Sequence, residues 1–270
     1  MIITLYILGS LALLIIISKV IAYLNFKNEI INLFRQSSNP TVQKFNYSQT
    51  DNLPEPVQRY FKHVLKDGQP YINYIRIKHA GIFKARLDKN WMNIRGEQYF
   101  TTEKPGFIWK GSTTLFTARD MYIANTGRLV VSLLSLIKIV DAKGEQYDQG
   151  ELLRWLGESF WFPTNLLPCD RIKWVPIDAL TAKLIFTCKK YSLFFRVTFN
   201  EQGEIVQLET KRYMDQNKME TWICKASDYK ELNQILIPTI CEVFWKIDGV
   251  EKSYAKFNIT HINYDQPQKY

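Results

Sequence analysis

The spacing of hydrophobic positions changes several times along the chain. From Ile2 to Leu24 it is almost continuous: IITLYILGSLALLIIIS carries no charge, Lys19 follows, and VIAYL extends the run. A helix of about 22 residues at 1.5 Å per residue is about 33 Å long, enough to cross a hydrocarbon core of about 30 Å. Lys19 falls near one end, where its stem can reach the headgroups, and Tyr6 and Tyr23 fall where aromatic belts sit. A cleaved signal peptide wants a basic start and small residues at the cut. Met-Ile-Ile-Thr has no Lys or Arg, and no A-x-A site follows. The expectation is a retained transmembrane anchor over residues 1–24. Residues 25–52, polar and ending in SSNP and a Ser/Thr/Asn/Gln-rich stretch, read as a partly helical stalk.

Beyond the stalk, LPEPVQRYFKHVLKDG predicts a short helix. Pro54 and Pro56 suit its start, Val57, Tyr60, Phe61, Val64 and Leu65 form an i, i+3, i+4 stripe, and Gly68 ends it. From Tyr71 the period changes to two. IRIKHAGIFKARL, WMNIRGEQYF, GFIWKGSTTLF, TARDMYIANTG and RLVVSLLSLIKIV are strand segments between short turns. A second helix opens at Asp148, with Glu151 completing a D-x-x-E capping box; Leu152, Leu153, Leu156 and Phe160 share one side and Pro163 ends it. Strand patterns then resume from IKWVPI to SYAKFNITHI, giving about ten to twelve strands. So many sequential hairpins favour an antiparallel meander, and a sheet of that size curls and needs an apolar cover on its concave face. The predicted fold is α+β: one domain over 53–270, a curved antiparallel sheet or incomplete β-barrel covered by two helices and preceded by one transmembrane helix.

Composition refines this picture. The 46% hydrophobic content rules out a disordered chain, and 7 Trp, 15 Tyr and 16 Phe supply either a wide core or the walls of an apolar pocket. The net charge of +9 comes from dispersed residues, with no zinc finger, basic helix or RNA-binding signature, so nucleic acid is not an expected partner. Membrane lipids are the more economical partner for a tethered basic chain, beside the plainer account of a solvated surface rich in Lys. Lys19, Lys27, Arg35 and Lys44 against Glu29 alone point the domain to the cytoplasm. Cys169, Cys188, Cys224 and Cys241 form no CxxC pair; small core residues are the expectation, with disulfides open to an oxidising compartment.

No chemistry-bearing signature stands out. His63, His79 and His261 have no metal-ligand spacing, and the glycines form neither a P-loop nor G-x-G-x-x-G, so no metal or cofactor is expected. His63 falls on the polar side of its helix and the other two in strands, where packing or surface roles are favoured. Glu151, Arg154 and Glu158 make an i, i+3, i+7 row beside Trp155 and Trp161. Two carboxylates with an Arg could do acid–base work, but an exposed charged helix face has the same pattern and is the favoured reading. Phe107, Trp109 and Tyr122 project from alternating strand positions as core or as a cavity wall, with core favoured.

LPEPVQRYFKHVLKDGQP at 53–70 and GELLRWLGESFWFPTNLLP at 150–168 resemble two hallmark segments of an uncharacterised bacterial family, a domain of unknown function; FNEQGEIVQLETKRY and ASDYKELNQILIPTICEVFWKIDG fit it too. The C-terminal strand order is also similar to the carrier fold of lipoprotein-localisation factors, an incomplete barrel closed by helices. That resemblance implies a bacterial cytoplasmic membrane with the domain outside the cytoplasm, against the charge rule. Together these imply a non-catalytic, membrane-anchored protein that binds a lipid or another apolar ligand between sheet and helices. Phe107, Trp109, Tyr122, Glu151, Arg154, Trp155, Glu158 and Trp161 are its candidate site. The alternatives are an enzyme on a membrane-associated substrate, with Glu151 or Glu158 as base and Arg154 as anion clamp, or an interaction scaffold.

Overall fold

A computed structural model describes residues 2–37, 39–215 and 217–270, apart from the side chains of Ile2, Leu5 and Leu11. Met1, at the head of the expected anchor, lies outside the described residues. Helix α1 (Ile2–Gln36) is apolar and exposed in its first half and long enough to cross a membrane. It does not stop at Leu24. Phe26, Ile30, Leu33 and Phe34, at i, i+4, i+7 and i+8, are buried against Tyr74, Tyr99, Ile108, Met121 and Val130 of the sheet. The expected stalk is therefore corrected over 25–36: this stripe is amphipathic helix packed on the domain. Helix α2 (Glu55–Val64) follows the sequence expectation, with Pro56 in its first turn and Val57, Tyr60, Phe61 and Val64 buried.

Among the described residues thirteen strands form one sheet: β1 (Tyr74–Phe83), β2 (Met92–Thr101), β3 (Gly106–Ser112), β4 (Phe116–Ile123), β5 (Thr126–Leu133), β6 (Ile137–Lys143), β7 (Ile172–Asp178), β8 (Thr181–Cys188), β9 (Tyr191–Phe199), β10 (Ile205–Tyr213), β11 (Met219–Leu232), β12 (Ile235–Ile247) and β13 (Val250–Tyr264). Their order is β6-β5-β4-β3-β2-β1-β13-β12-β11-β10-β9-β8-β7. Two antiparallel meanders are thus joined where β1 pairs with β13. The segment RLVVSLLSLIKIV is a hairpin rather than one strand, because Leu134 and Ser135 turn the chain with φ of 51° and 61°.

Helix α3 (Glu145–Gly157) connects β6 to β7, the two outer edges of the sheet, so it must cross a whole face. It touches β3 to β6 on one side and β9 and β10 on the other, which requires the sheet to curl around it. The expected capping box is absent. The N-cap lies four residues earlier, at Gly144, with no side-chain cap, and Asp148 Oδ1 instead accepts the Gly127 N–H of β5 at 2.7 Å. Two 3-10 turns, Glu158–Trp161 and Pro163–Leu166, continue the cover. All four cysteines are free; Cys224 and Cys241 are core residues, whereas Cys188 is half-buried and Cys169 is exposed.

Candidate functional site

Close packing of α3 on the inner face depends on three glycines. A Cβ on Gly127 would lie 2.1 Å from the Tyr147 carbonyl oxygen, Gly150 leaves room for the Arg212 guanidinium, and Gly157 lies against the rings of Phe195 and Trp222. With Leu152, Leu153, Trp155 and Leu156 filling the rest of that surface, the charged row on α3 is carried inward. Glu151, Arg154 and Glu158 are only 4%, 9% and 9% exposed, so the exposed-face reading is overturned.

Inside, the row meets polar residues at core-facing strand positions. Gln98, Trp109 and Asp120 stand side by side across β2, β3 and β4. Arg154 donates through Nε to Glu158 Oε1 at 2.9 Å and through Nη1 to Asp120 Oδ2 at 2.7 Å. Its guanidinium carbon lies 4.9 Å from the Trp109 ring centre and 5.2 Å from that of Phe107. Gln98 Nε2 donates to the second Glu158 oxygen at 2.6 Å. Trp109 Nε1 donates to His79 Nε2 at 2.7 Å, which places the imidazole proton on Nδ1. Towards β10 and β11, Arg212 Nη2 donates to Glu151 Oε1 at 3.1 Å and its guanidinium lies 5.2 Å from the Trp222 ring centre. Trp222 Nε1 in turn donates to Tyr254 Oη at 2.8 Å.

The electrostatics follow from burial. Three carboxylates, of Asp120, Glu151 and Glu158, face two guanidiniums, of Arg154 and Arg212. Burial and then the Asp120 charge push the Glu151 carboxyl up to about 8, against the pull of Arg212 and Arg154. With Glu151 protonated the cluster balances. Burial also raises Glu158, although Arg154 opposes it. His79 is pushed down to about 3 by burial and by the Arg154 charge, so it is neutral. Among the described residues, Glu151 Oε2, Arg212 Nε and His79 Nδ1 are buried without a hydrogen-bond partner. No group of three His, Cys, Asp or Glu residues among the described ones is placed to hold a metal ion.

Of the sequence candidates, Phe107, Trp109, Glu151, Arg154 and Glu158 come together here. Trp155, bonded to the Thr101 carbonyl at 2.9 Å, and Trp161, bonded to that of Pro238 at 3.1 Å, anchor the cover instead. Tyr122 is buried in the same core without a side-chain bond to the cluster. Sequence reasoning missed Gln98, Asp120 and Arg212, and gave His79 only a packing or surface role. The available signal was a polar side chain at the core parity of a strand.

Fold and cluster define an α+β protein with one strongly curved antiparallel sheet, closed by helices over a buried ionic network. The chain belongs to a family of unknown function (DUF6544), which matches residues 43–257. No curated protein matches it. It is similar to a LolA superfamily protein from Nitrosomonas europaea (8% identity, TM-score 0.43, covering 77% of this chain and 91% of that one). It is also similar to a domain from Vibrio parahaemolyticus described as an outer membrane lipoprotein-sorting protein (10%, 0.41, 82% and 95%). A DUF1329 family protein from Desulfovibrio piger gives comparable values (10%, 0.42, 72% and 86%).

Proposed function

We propose that the protein is tethered to a membrane by the apolar part of α1 and holds a lipid or another apolar molecule between the sheet and α3. The observation that carries this reading is the set of unused hydrogen-bonding atoms on the inner face. Protonated Glu151 Oε2, Arg212 Nε and His79 Nδ1 are three donors left without acceptors, and a buried donor without a partner costs about 1–3 kcal/mol. Aromatic side chains lie beside them: Trp109 is bonded to His79, and Trp222, bonded in turn to Tyr254, lies against the Arg212 guanidinium. An amphiphile whose headgroup carries acceptor oxygens would satisfy the donors while its apolar part replaces ring contacts. Because these rings are packed under α3, uptake needs the helix to swing away. In this reading the Gly127–Asp148 bond at the start of α3 has to open, and Gly144, at φ 129°, is the residue just before it where the backbone can turn.

Full-length protein extracted in mild detergent should retain a stoichiometric apolar ligand by native mass spectrometry and organic extraction. Protein that carries none, and whose Tm is unmoved by membrane lipid extract, rules the reading out.

A second reading, acid–base catalysis on a membrane-associated substrate, is favoured by the Glu151 proton held near neutral pH. In it Arg212, rather than the doubly paired Arg154, holds the anion. Glu151→Gln would then abolish turnover with little change in Tm.

A further inference from the structure

Six large apolar side chains are exposed at one end of the β3–β6 half of the sheet. Leu115 lies in the β3–β4 turn, Leu134 and Leu136 lie in the β5–β6 turn, and Ile137, Ile139 and Val140 open β6. An edge strand this apolar is a liability in water. The exposed stretch is short: Lys138 lies within it and reaches out to Asp141 at 2.8 Å, and Asp141, tied also to Arg128 at 2.7 Å, ends it.

Helix α1 passes the same place. Ser18 Oγ donates to the Ser135 carbonyl in the β5–β6 turn at 2.9 Å. The exposed apolar surface of α1 continues beyond Ser18 through Val20, Ile21, Tyr23 and Leu24. From Ser18 to Leu24 is about 9 Å of helix, and from Ile137 to Val140 is about 10 Å of strand. Two unrelated elements therefore change from apolar to polar over the same depth. On the next hairpin loop, Lys84 lies over the exposed Trp91 ring at 4.9 Å, an aromatic and a cation of the sort found at bilayer interfaces.

We infer that the β3–β4 and β5–β6 turns dip into the bilayer that α1 spans and dock the domain edge-on at the headgroup–acyl boundary. This rests on the anchoring of α1 proposed above. The open edge of β6 limits the depth, since unpaired backbone groups need water or headgroups and are not tolerated in hydrocarbon. An insertion of about 5–10 Å, as for interfacial helices, meets both conditions. Docking fixes the sheet and α3 at the membrane surface, where an apolar ligand need not cross water.

The test uses the full chain with Cys169→Ser and Cys188→Ser, reconstituted in nanodiscs of phosphatidylcholine and phosphatidylglycerol. A polarity-sensitive fluorophore is attached at Ile137→Cys and, separately, at Ile139→Cys. Reference labels go on Leu13→Cys in α1 and on Asn125→Cys in the exposed β4–β5 turn. Docking predicts several-fold stronger quenching at 137 and 139 than at 125 by lipids carrying a nitroxide near the headgroup, with iodide quenching reversed. Labels at 137 and 139 that behave like 125, while 13 is quenched by lipid, overturn the docking and leave the anchor standing. If 13 also behaves as water-exposed, the anchoring itself fails. Shielding from lipid and iodide alike, with two copies per disc, would mean edge pairing between chains and also overturns the proposal.

Discussion

Arg154 sits between two carboxylates and two aromatic rings, where burial makes each partner indispensable. Arg154→Met leaves Glu158 and Asp120 buried without their counter-charge, and removal of one member of a buried pair costs about 3–5 kcal/mol. Denaturant unfolding should show that loss, and adding Glu158→Gln and Asp120→Asn should restore most of it. His79 and Glu151 give opposite pH signatures. His79 has its folded pKa depressed from 6.5 to about 3, so its contribution is present above pH 6.5 and lost as pH falls towards 3. Glu151 is raised from 4.5 to about 8, so its contribution is complete below pH 4.5 and lost as pH rises through 8. Relative to wild type, His79→Gln should flatten the loss of stability from pH 6.5 to 4, and Glu151→Gln the loss from pH 5 to 8. Equal slopes in wild type and variant would refute either assignment. The sequence displayed the 151/154/158 row but not its direction, because only the register of β2 to β4 sets Gln98 and Asp120 opposite it.

Element by element, local patterns carried over where they acted alone. The α2 stripe and the period-two strands needed no distant partner to be recognised. The second half of α1 was legible in principle, since Phe26, Ile30, Leu33 and Phe34 keep helical spacing, but Lys27, Asn28, Glu29 and Asn32 between them masked it as a polar spacer. The start of α3 misled because Asp148 is drawn away to the β5 backbone. That bond, with Gly127 under the Tyr147 carbonyl, holds α3 to the sheet. Gly127→Ala puts a methyl group into that carbonyl, so hydrogen exchange across 145–157 should rise while β11 to β13 stay protected. Unchanged exchange in α3 would show that the contact does not hold it.

For the whole molecule, hairpin spacing pointed to an antiparallel meander of about ten to twelve strands and two covering helices, but it held no reason for the chain's first and last strands to meet. The β1–β13 pairing and the passage of α3 from edge to edge are non-local, and together they turn an open sheet into a curled one with a polar centre. Under the proposed function this centre receives an apolar ligand. A photoactivatable lipid, offered to full-length protein in nanodiscs and followed by peptide mapping, tests it most directly. Occupancy of the centre predicts cross-links in 79–122, 145–158 and 212–254 that Arg212→Met or Glu151→Gln weakens. Cross-links confined to α1 and the 133–140 hairpin, with none on the inner face, would contradict it.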